Sequence, residues 1–235
     1  MSEVEMTKRT AGLALALALA VAGCSDADPG GAASDDASLT DDVPRGTDGS
    51  GDFFSEATPV DVAKKAEYVV EGVVDDFADG HTEVVTDEQG RRETDRFVVI
   101  RIKVTSVLKG APSSFSSGFA YATRSRGVQT YDAAGALVPG RDLAIPPEAF
   151  ERDLPRGATI VVMAAPASAH GGVVQDARAG VPERSAPILD VENPQSILID
   201  SGVESGLHGW QGVPGLTFSS ARADVRALLA GSTDE

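Results

Sequence analysis

Hydrophobic and polar residues alternate most clearly in the segment Phe97–Val104. Side chains in a β-strand point alternately to its two faces, so this segment predicts a strand with one buried face. The buried face is formed by Val98, Ile100, Ile102 and Val104, and the opposite face by Val99, Arg101 and Lys103. The segment Tyr68–Val74 is apolar on both faces and therefore predicts a central strand that is covered on both sides.

Shorter apolar segments bounded by glycine, proline or acidic residues predict further strands. They lie at His81–Thr86, Gly118–Thr123, Ala158–Ala164, Gly172–Gln175 and Ser196–Ile199. The polar residues 88–91 between the first of these and Phe97 predict a turn.

Two helices are predicted to flank the strands. Thr58 followed by Pro59 is typical of a helix start, and this helix continues through Lys65. A second helix begins near Ser220 and ends at Gly231, with an apolar face formed by Val225, Leu228 and Leu229. Short strands with a helix at each end predict a single, mainly β domain that comprises residues 58–235.

Three segments occur in an order that is similar to a diffuse group of exported bacterial β-proteins. They are Ala66–Val74, the strand that ends in Val107–Gly110, and Leu154–Gly157 with Ile160–Val162 after it. The resemblance implies a small OB-like barrel or sandwich. Because the shared residues pack or form turns, it implies a fold and no particular chemistry.

The N-terminus has the three parts of a secretory signal peptide. The basic pair Lys8-Arg9 precedes an apolar run of residues 11–22, which is shorter than the roughly 20 residues of a membrane-spanning helix. The run leads into Val21-Ala22-Gly23-Cys24, which resembles the lipobox of bacterial lipoproteins. The resemblance implies that residues 1–23 are removed and that Cys24 becomes a lipidated first residue on a stable two-chain anchor. Acidic residues precede Met6, which is unusual for a signal peptide, so we expect translation to begin at Met6.

The residues after Cys24 predict a disordered acidic tether up to residue 57. They are rich in Asp, Gly, Ser and Ala and show no apolar periodicity, so they cannot bury enough surface to order the chain. About half of the formal net charge of −16 lies in this tether. The remaining domain is also acidic, which argues against nucleic acid as a partner. Cys24 is the single cysteine, so no other thiol exists for a disulfide, a metal site or a nucleophile.

The sequence contains one match to a catalytic pattern, the S-x-x-K motif at Ser106–Lys109. In penicillin-recognising serine enzymes this serine begins a helix and S-D-N and K-T-G elements accompany it. Here the motif continues a predicted strand, and the companion motifs are missing from the sequence. The histidines, His81, His170 and His208, are far apart and are expected on the surface or in loops. We therefore predict no catalytic residue, no metal site and no cofactor.

Three further features are candidates for charge or aromatic interactions. The segment Asp75–Glu83 concentrates carboxylates, but its spacing does not match a calcium loop, so we expect a solvated acidic turn and leave weak divalent-cation binding open. Glu71 lies in the predicted central strand and needs a partner, for which we expect Arg101 or Lys103 on the neighbouring strand. Trp210, the single tryptophan, is expected to pack near the C-terminal helix rather than to stack on a ligand.

Together, these features predict a lipid-anchored protein on the extracytoplasmic face of the bacterial cell membrane, with a binding or interaction role. Its partner would be an envelope protein or a small ligand, and no residue pattern identifies which. Two alternatives stay open. One is an envelope hydrolase that gathers Ser106, His170 and an acid in one cleft, and the other is a protein inhibitor or complex subunit.

We expect Cys24→Ala to release the protein from the membrane, because it removes the thioether that carries the lipid. Membrane fractionation followed by immunoblotting measures this. A Ser25→Ala variant keeps the cysteine and should stay in the membrane fraction. Unchanged fractionation of Cys24→Ala would contradict the anchor.

Overall fold

A computed structural model describes residues 56–169, 171–200, 210, 213 and 215–231. This part of the chain is mainly β, as predicted, and it contains two helices. The elements in chain order are α1 (Pro59–Lys65), β1 (Tyr68–Thr86), β2 (Arg92–Lys109), β3 (Phe119–Tyr131), β4 (Leu137–Asp142), β5 (Thr159–Ala164), β6 (Val173–Gln175), β7 (Ile188–Asp190), β8 (Ile197–Asp200) and α2 (Phe218–Gly231). Short 3-10 turns lie at Pro112–Phe115, Pro147–Arg152 and Pro194–Ser196. The predictions for the signal peptide, Cys24 and residues 25–55 fall outside the described residues.

A long hairpin of β1 and β2 forms the centre of the sheet. β1 has 19 residues and contains both predicted strands, Tyr68–Val74 and His81–Thr86, in one continuous strand, and β2 has 18 residues and continues beyond the predicted Phe97–Val104. The connecting turn is held by Asp87, whose side chain accepts hydrogen bonds from the backbone N–H groups of Gln89 and Arg91. Four register shifts interrupt the β1–β2 ladder, and such bulges increase the local twist and change the face to which side chains point.

The sheet is curled, and β1 and β3 each pair with β2 along one edge and with two different strands along the other edge, β5 and β6 for β1 and β4 and β7 for β3. The strand order is β4-β3-β2-β1-β5-β8, with β6 paired to residues 82–84 of β1 and β7 paired in parallel to β3. Beyond β5, Pro166 forms a bridge with Leu189 of β7. This bridge connects the β5 side of the sheet to the β3 side, so the sheet bends around the apolar residues on its concave face.

Two apolar clusters pack against the part of the sheet that contains the start of β1. The first lies inside the curl and includes Val70, Ile100, Ile102, Ile160, Val162 and Leu189. The second lies between the sheet and the helices and includes Val62, Val69, Met163, Leu198, Trp210 and Val225. β1 is therefore covered on both sides at its start, as its sequence predicts. The packing role expected for Trp210 is confirmed, since this side chain is buried in the second cluster.

Both predicted helices are present. Thr58 caps α1 by accepting a hydrogen bond from the backbone N–H of Asp61, and Pro59 occupies the first turn. α2 begins two residues earlier than expected and buries Ala221 and Val225. Within the described residues, neither helix has the length and apolar character needed to cross a membrane.

Glu71 is fully buried in β1, but the partner predicted for it is wrong. Its carboxylate accepts hydrogen bonds from two guanidinium groups on α2, those of Arg222 and Arg226. Arg222 donates from Nε at 3.1 Å and from Nη2 at 2.9 Å, and Arg226 donates from Nε at 2.6 Å and also from Nη2. Arg101, by contrast, pairs with Asp75 and Asp76. Two planar guanidinium groups thus enclose one carboxylate, in the paired geometry that favours arginine over lysine.

The pKa of Glu71 reflects this arrangement. Burial alone would raise it, but the hydrogen bonds from Arg226 and Arg222 and their positive charges lower the pKa from the ordinary 4.5 to about 2. Because the pKa is depressed in the folded chain, the resulting stabilisation is complete above about pH 4.5. It is lost as the pH falls from there towards 2.

We expect Glu71→Gln to lower the free energy of unfolding by about 3 kcal/mol at pH 7, since it leaves two guanidinium groups without their anion. The loss should shrink as the pH falls below 4.5, because the carboxylate of the wild type is then itself becoming protonated. Urea unfolding at a series of pH values measures both effects. Glu67→Gln, at an exposed position nearby, should change neither. A Glu71→Gln variant as stable as the wild type at pH 7 would contradict the role of this ion cluster.

Candidate functional site

The residues singled out in the sequence do not come together in one place. Ser106 lies in β2, directly across from Glu71 of β1, and the S-x-x-K segment is a strand as expected. His170 and His208 lie outside the described residues, as does Cys24. The grouping of Ser106, His170 and an acid therefore stays a prediction, while the helical context of a penicillin-type serine is missing around Ser106.

The acidic segment Asp75–Glu83 is not a turn, and that expectation is wrong. The whole segment lies inside β1. Asp75 pairs with Arg101 at 2.5 Å, Asp76 with Arg156 at 2.6 Å, and Asp79 with Arg126 at 2.7 Å. Arginines of β2, of β3 and of the loop before β5 thus pair with these acids along one continuous strand. In the part of the chain that the structure describes, no three His, Cys, Asp or Glu side chains are grouped so that they could hold a metal ion.

A cavity of about 320 Å³ lies over the C-terminal half of β1, where His81 and Glu83 line it. Its walls come from β1 and β6, from Ile188 at the start of β7, and from the long connection between β5 and β7. We call residues 165–169 and 171–187 of this connection the cover segment. The apolar part of the lining consists of Pro166, Ala167, Ala169, Val174, Ala177 and Ile188, and the polar part of His81, Glu83, Ser168 and Arg178.

His81 and Glu83 form the polar side of the cavity. They are two residues apart in β1 and therefore point to the same face of the strand. His81 is 8% exposed and Glu83 is 5% exposed, and Nε2 of His81 lies 3.7 Å from Oε1 of Glu83. The imidazole ring stacks on Phe97 of β2 with ring centres 4.1 Å apart and an angle of 16°. The expectation that His81 lies on the surface or in a loop is therefore wrong.

The cover segment lies so close to β1 because glycine occupies the contact point. Gly180 has a positive φ of 74°, and a Cβ atom there would lie 2.6 Å from the carbonyl oxygen of Asp79. Beyond this point Val181 and Ala186 pack on Val99 and Tyr121 and form a small third apolar cluster. Val99 was predicted on the polar face of β2, and it is buried because the cover segment supplies a second apolar layer.

Arg178 lines the cavity as part of the cover segment. Its Nη2 donates hydrogen bonds to the backbone carbonyl oxygens of Glu183 and Ala186, the second at 3.0 Å. The hydroxyl of Tyr121 donates to the carboxylate of Glu183. The guanidinium therefore holds the cover segment in its folded path, and Tyr121 ties the same segment to β3.

A half-buried acid, Glu192, lies in the polar network next to this region. The Ser125 backbone N–H donates to Glu192, the Ser125 hydroxyl donates to Asp95 at 2.6 Å, and the Glu192 N–H donates to Asp190 at 2.9 Å. Burial raises the pKa of Glu192 from 4.5 to about 7, although the Ser125 N–H and Arg124 act in the opposite direction. The charges of Asp95 and Asp190 raise this pKa further.

The site was missed in the sequence because its parts carry no motif. His81 and Glu83 alternate in a segment that was correctly predicted as a strand, which would have placed both on one face. Whether that face is open or covered depends on residues 165–187, about 90 positions further along the chain. The alternation was therefore a usable signal, while the cavity itself was not foreseeable.

Comparison with known proteins adds no assignment for this arrangement. No protein-family model matches the chain, and a search of curated proteins finds no similar sequence.

We expect Glu192→Gln to stabilise the fold at pH 8 by up to about 3 kcal/mol, which corresponds to the difference between a pKa of 4.5 and one of about 7. Because the pKa is raised in the folded chain, the wild type loses stability as the pH rises from 4.5 through 7. Urea unfolding at pH 5 and pH 8 measures this, and the gain should be small at pH 5. The exposed Glu148→Gln serves as the control. An equal effect of Glu192→Gln at both pH values would contradict the assignment.

Proposed function

We propose that this chain is a lipid-anchored, extracytoplasmic binding protein of the bacterial cell envelope, and that the cavity over β1 is its ligand site. The observation that carries the proposal is the buried His81–Glu83 pair facing a cavity of about 320 Å³. Small-molecule sites are concave and largely apolar, and they contain a few fixed polar groups. This cavity has that composition.

The size of the cavity favours a small ligand. Its volume lies at the lower end of the usual range for ligand pockets and equals that of about ten water molecules in the liquid. Pairing with Glu83, stacking on Phe97 and the contacts of Arg178 all limit movement of the lining. A site with fixed walls binds at lower entropic cost.

The proposed cellular setting comes from the N-terminal segment. Cys24 would carry the lipid, and the acidic tether would hold the domain away from the bilayer. The curled sheet with its C-terminal helix is compatible with the OB-like architecture that the sequence resemblance implies. Such barrels present ligand sites on the curved face of the sheet and its connecting loops.

A hydrolase is the second candidate, because Ser168 lines the same cavity as His81 and Glu83. Catalysis would require the Ser168 hydroxyl to lie about 3 Å from an imidazole nitrogen of His81. Nε2 of His81 faces Glu83, so Nδ1 would have to act as the base. Binding is the better supported function, since it requires the cavity and its polar pair and no further contact.

We expect Ala177→Trp to prevent occupancy of the cavity, because the indole would take up a large part of its volume from the exposed wall. Native mass spectrometry of the full chain, extracted gently from envelopes, should detect a bound small molecule on the wild type. The signal should fall at least about tenfold in the variant.

Ala133→Trp, in the exposed turn between β3 and β4, is the matched control and should keep the ligand. The same bound mass on Ala177→Trp and the wild type would show that the ligand lies elsewhere. A wild-type chain that carries no small molecule, even after incubation with an envelope extract, would contradict the binding function.

A further inference from the structure

Arg124 of β3 lies on the concave face of the sheet, at the end of the first apolar cluster. Ala120 and Ala122 belong to that cluster, and Arg124 is the next residue of β3 with the same orientation. The register shift in the β2–β3 ladder comes after Arg124, so the alternation along β3 is not interrupted before it. The apolar row on this strand therefore ends in a guanidinium group.

The residues beside Arg124 on the neighbouring strands are apolar. Val98 lies directly opposite it in β2 and is fully buried. On the side of β7, Val191 donates its backbone N–H to the carbonyl oxygen of Thr123 and is also fully buried. Cross-strand neighbours are the usual source of an ion pair in a sheet. Two valines cannot supply one to Arg124.

The Arg124 side chain is half-buried, and among the described residues its guanidinium forms no hydrogen bond and no ion pair. Burial lowers the pKa of Arg124, and the charges of Glu192 and Asp153 act in the opposite direction. Asp153, however, is paired with Arg152 at 3.3 Å. A guanidinium carries five N–H donors, and withdrawing them from water without an acceptor is costly. An anion bound at Arg124 would supply the missing acceptors.

The second arginine of this strand is already paired. Arg126 donates from Nη1 to the carbonyl oxygen of Ile145 and from Nη2 to the carboxylate of Asp79, both at 2.7 Å. Asp79 lies opposite Val98 in β1 and is thus the acid in the same row of the concave face as Arg124. Its carboxylate is held by Arg126, which leaves Arg124 as the binding group.

Glu192 determines how much of the Arg124 charge is compensated. Its carboxyl group accepts a hydrogen bond from the Ser125 N–H, and Asp95 of β2 and Asp190 of β7 are the acids that act on it. Burial raises the pKa of Glu192 to about 7, and these two acids raise it further, against the opposing effect of Arg124. Below pH 7 the carboxyl group is mostly neutral. The charge of Arg124 is then available to a ligand.

A carboxylate matches this group better than a phosphate does. Its two oxygens accept two parallel hydrogen bonds from one guanidinium, and its single charge balances that of Arg124. A phosphate ester carries a charge of about −1.5 to −2 at neutral pH. The excess negative charge would lie near Asp79, Asp153 and Glu192, which is unfavourable.

We propose that Arg124 binds the carboxylate group of a small ligand at the end of the concave face of the sheet. Phe97 and Val99 of β2 face His81 and the cover segment, and Val98 between them faces the other way with Arg124. This site and the cavity are therefore on opposite faces of β2. The inference goes beyond the proposed function and does not depend on it.

The experiment titrates the full chain, in detergent micelles at pH 6, with propionate, propionamide and methyl phosphate. The methyl resonances of Val98 and Val191, which flank Arg124, report on the site by NMR. We expect propionate to shift both valines saturably, with a Kd at least about tenfold lower than that of propionamide, which has nearly the same shape and no charge. Methyl phosphate should bind more weakly than propionate.

Arg124→Gln should bring the Kd of propionate to that of propionamide. Because the guanidinium has no partner in the described fold, this variant should unfold in urea at the wild-type midpoint or above it. Loss of binding is then not a consequence of unfolding. Arg141→Gln, which removes an exposed arginine on β4, is the matched control and should leave the Kd of propionate unchanged.

A second titration at pH 8 tests the part played by Glu192. The wild-type Kd of propionate should rise by up to about tenfold, because Glu192 is then mostly ionised and competes for Arg124. Glu192→Gln should keep the Kd measured at pH 6 at both pH values.

Four results would overturn the inference. Propionamide bound as tightly as propionate, or no response of the two valines to propionate, would reject an anion site at Arg124. Methyl phosphate bound more tightly than propionate would reject the carboxylate as the ligand group. A lower urea midpoint for Arg124→Gln would show that the fold itself pairs this side chain. Equal propionate Kd values at pH 6 and pH 8 would reject the competition with Glu192 and this account of the site.

Discussion

The burial of one carboxylate, that of Glu71, is the constraint on which the described structure depends. A charge away from water is costly unless it is paired and hydrogen bonded. Because β1 is covered on both faces at this point, the Glu71 carboxylate cannot reach solvent. It must therefore be paired by groups inside the fold. Arg222 and Arg226 follow it by 151 and 155 residues, so one ion cluster fixes where α2 docks. The apolar face of α2 then closes the second cluster over Trp210.

The same strand carries this cluster and the candidate site. Glu71 and Glu83 are separated by at most about 40 Å of extended chain. The register shifts between them change which side chains face the interior. Helices cover the start of β1, and the cover segment covers its end. A single continuous strand therefore passes through two different environments, one in which the Glu71 carboxylate is buried between guanidinium groups and one in which His81 and Glu83 face a cavity.

Local patterns in the sequence predicted the local elements, because their causes are local. The alternation at Phe97–Val104 and the cap at Thr58 lie within a few residues of what they determine. β4 and β7 were not predicted, since their short, partly polar sequences become strands by pairing with β3. The partners of Glu71, the burial of Val99 and the enclosure of His81 all depend on segments far away in the chain. The strand that carries His81 and Glu83 could thus be predicted from the sequence, but the segment that covers it could not.

Two glutamates show why the net charge of the chain says little about the electrostatics of any one site. Glu71 is fully buried and Glu192 is half-buried, yet the pKa of the first is about 2 and that of the second about 7. Two guanidinium groups surround Glu71, whereas Glu192 has two carboxylates nearby and accepts a hydrogen bond from one backbone N–H. The sign and strength of a local field therefore follow from which partners the fold brings together. A formal charge of −16 is a sum over the whole chain, so it does not describe the field at any one site.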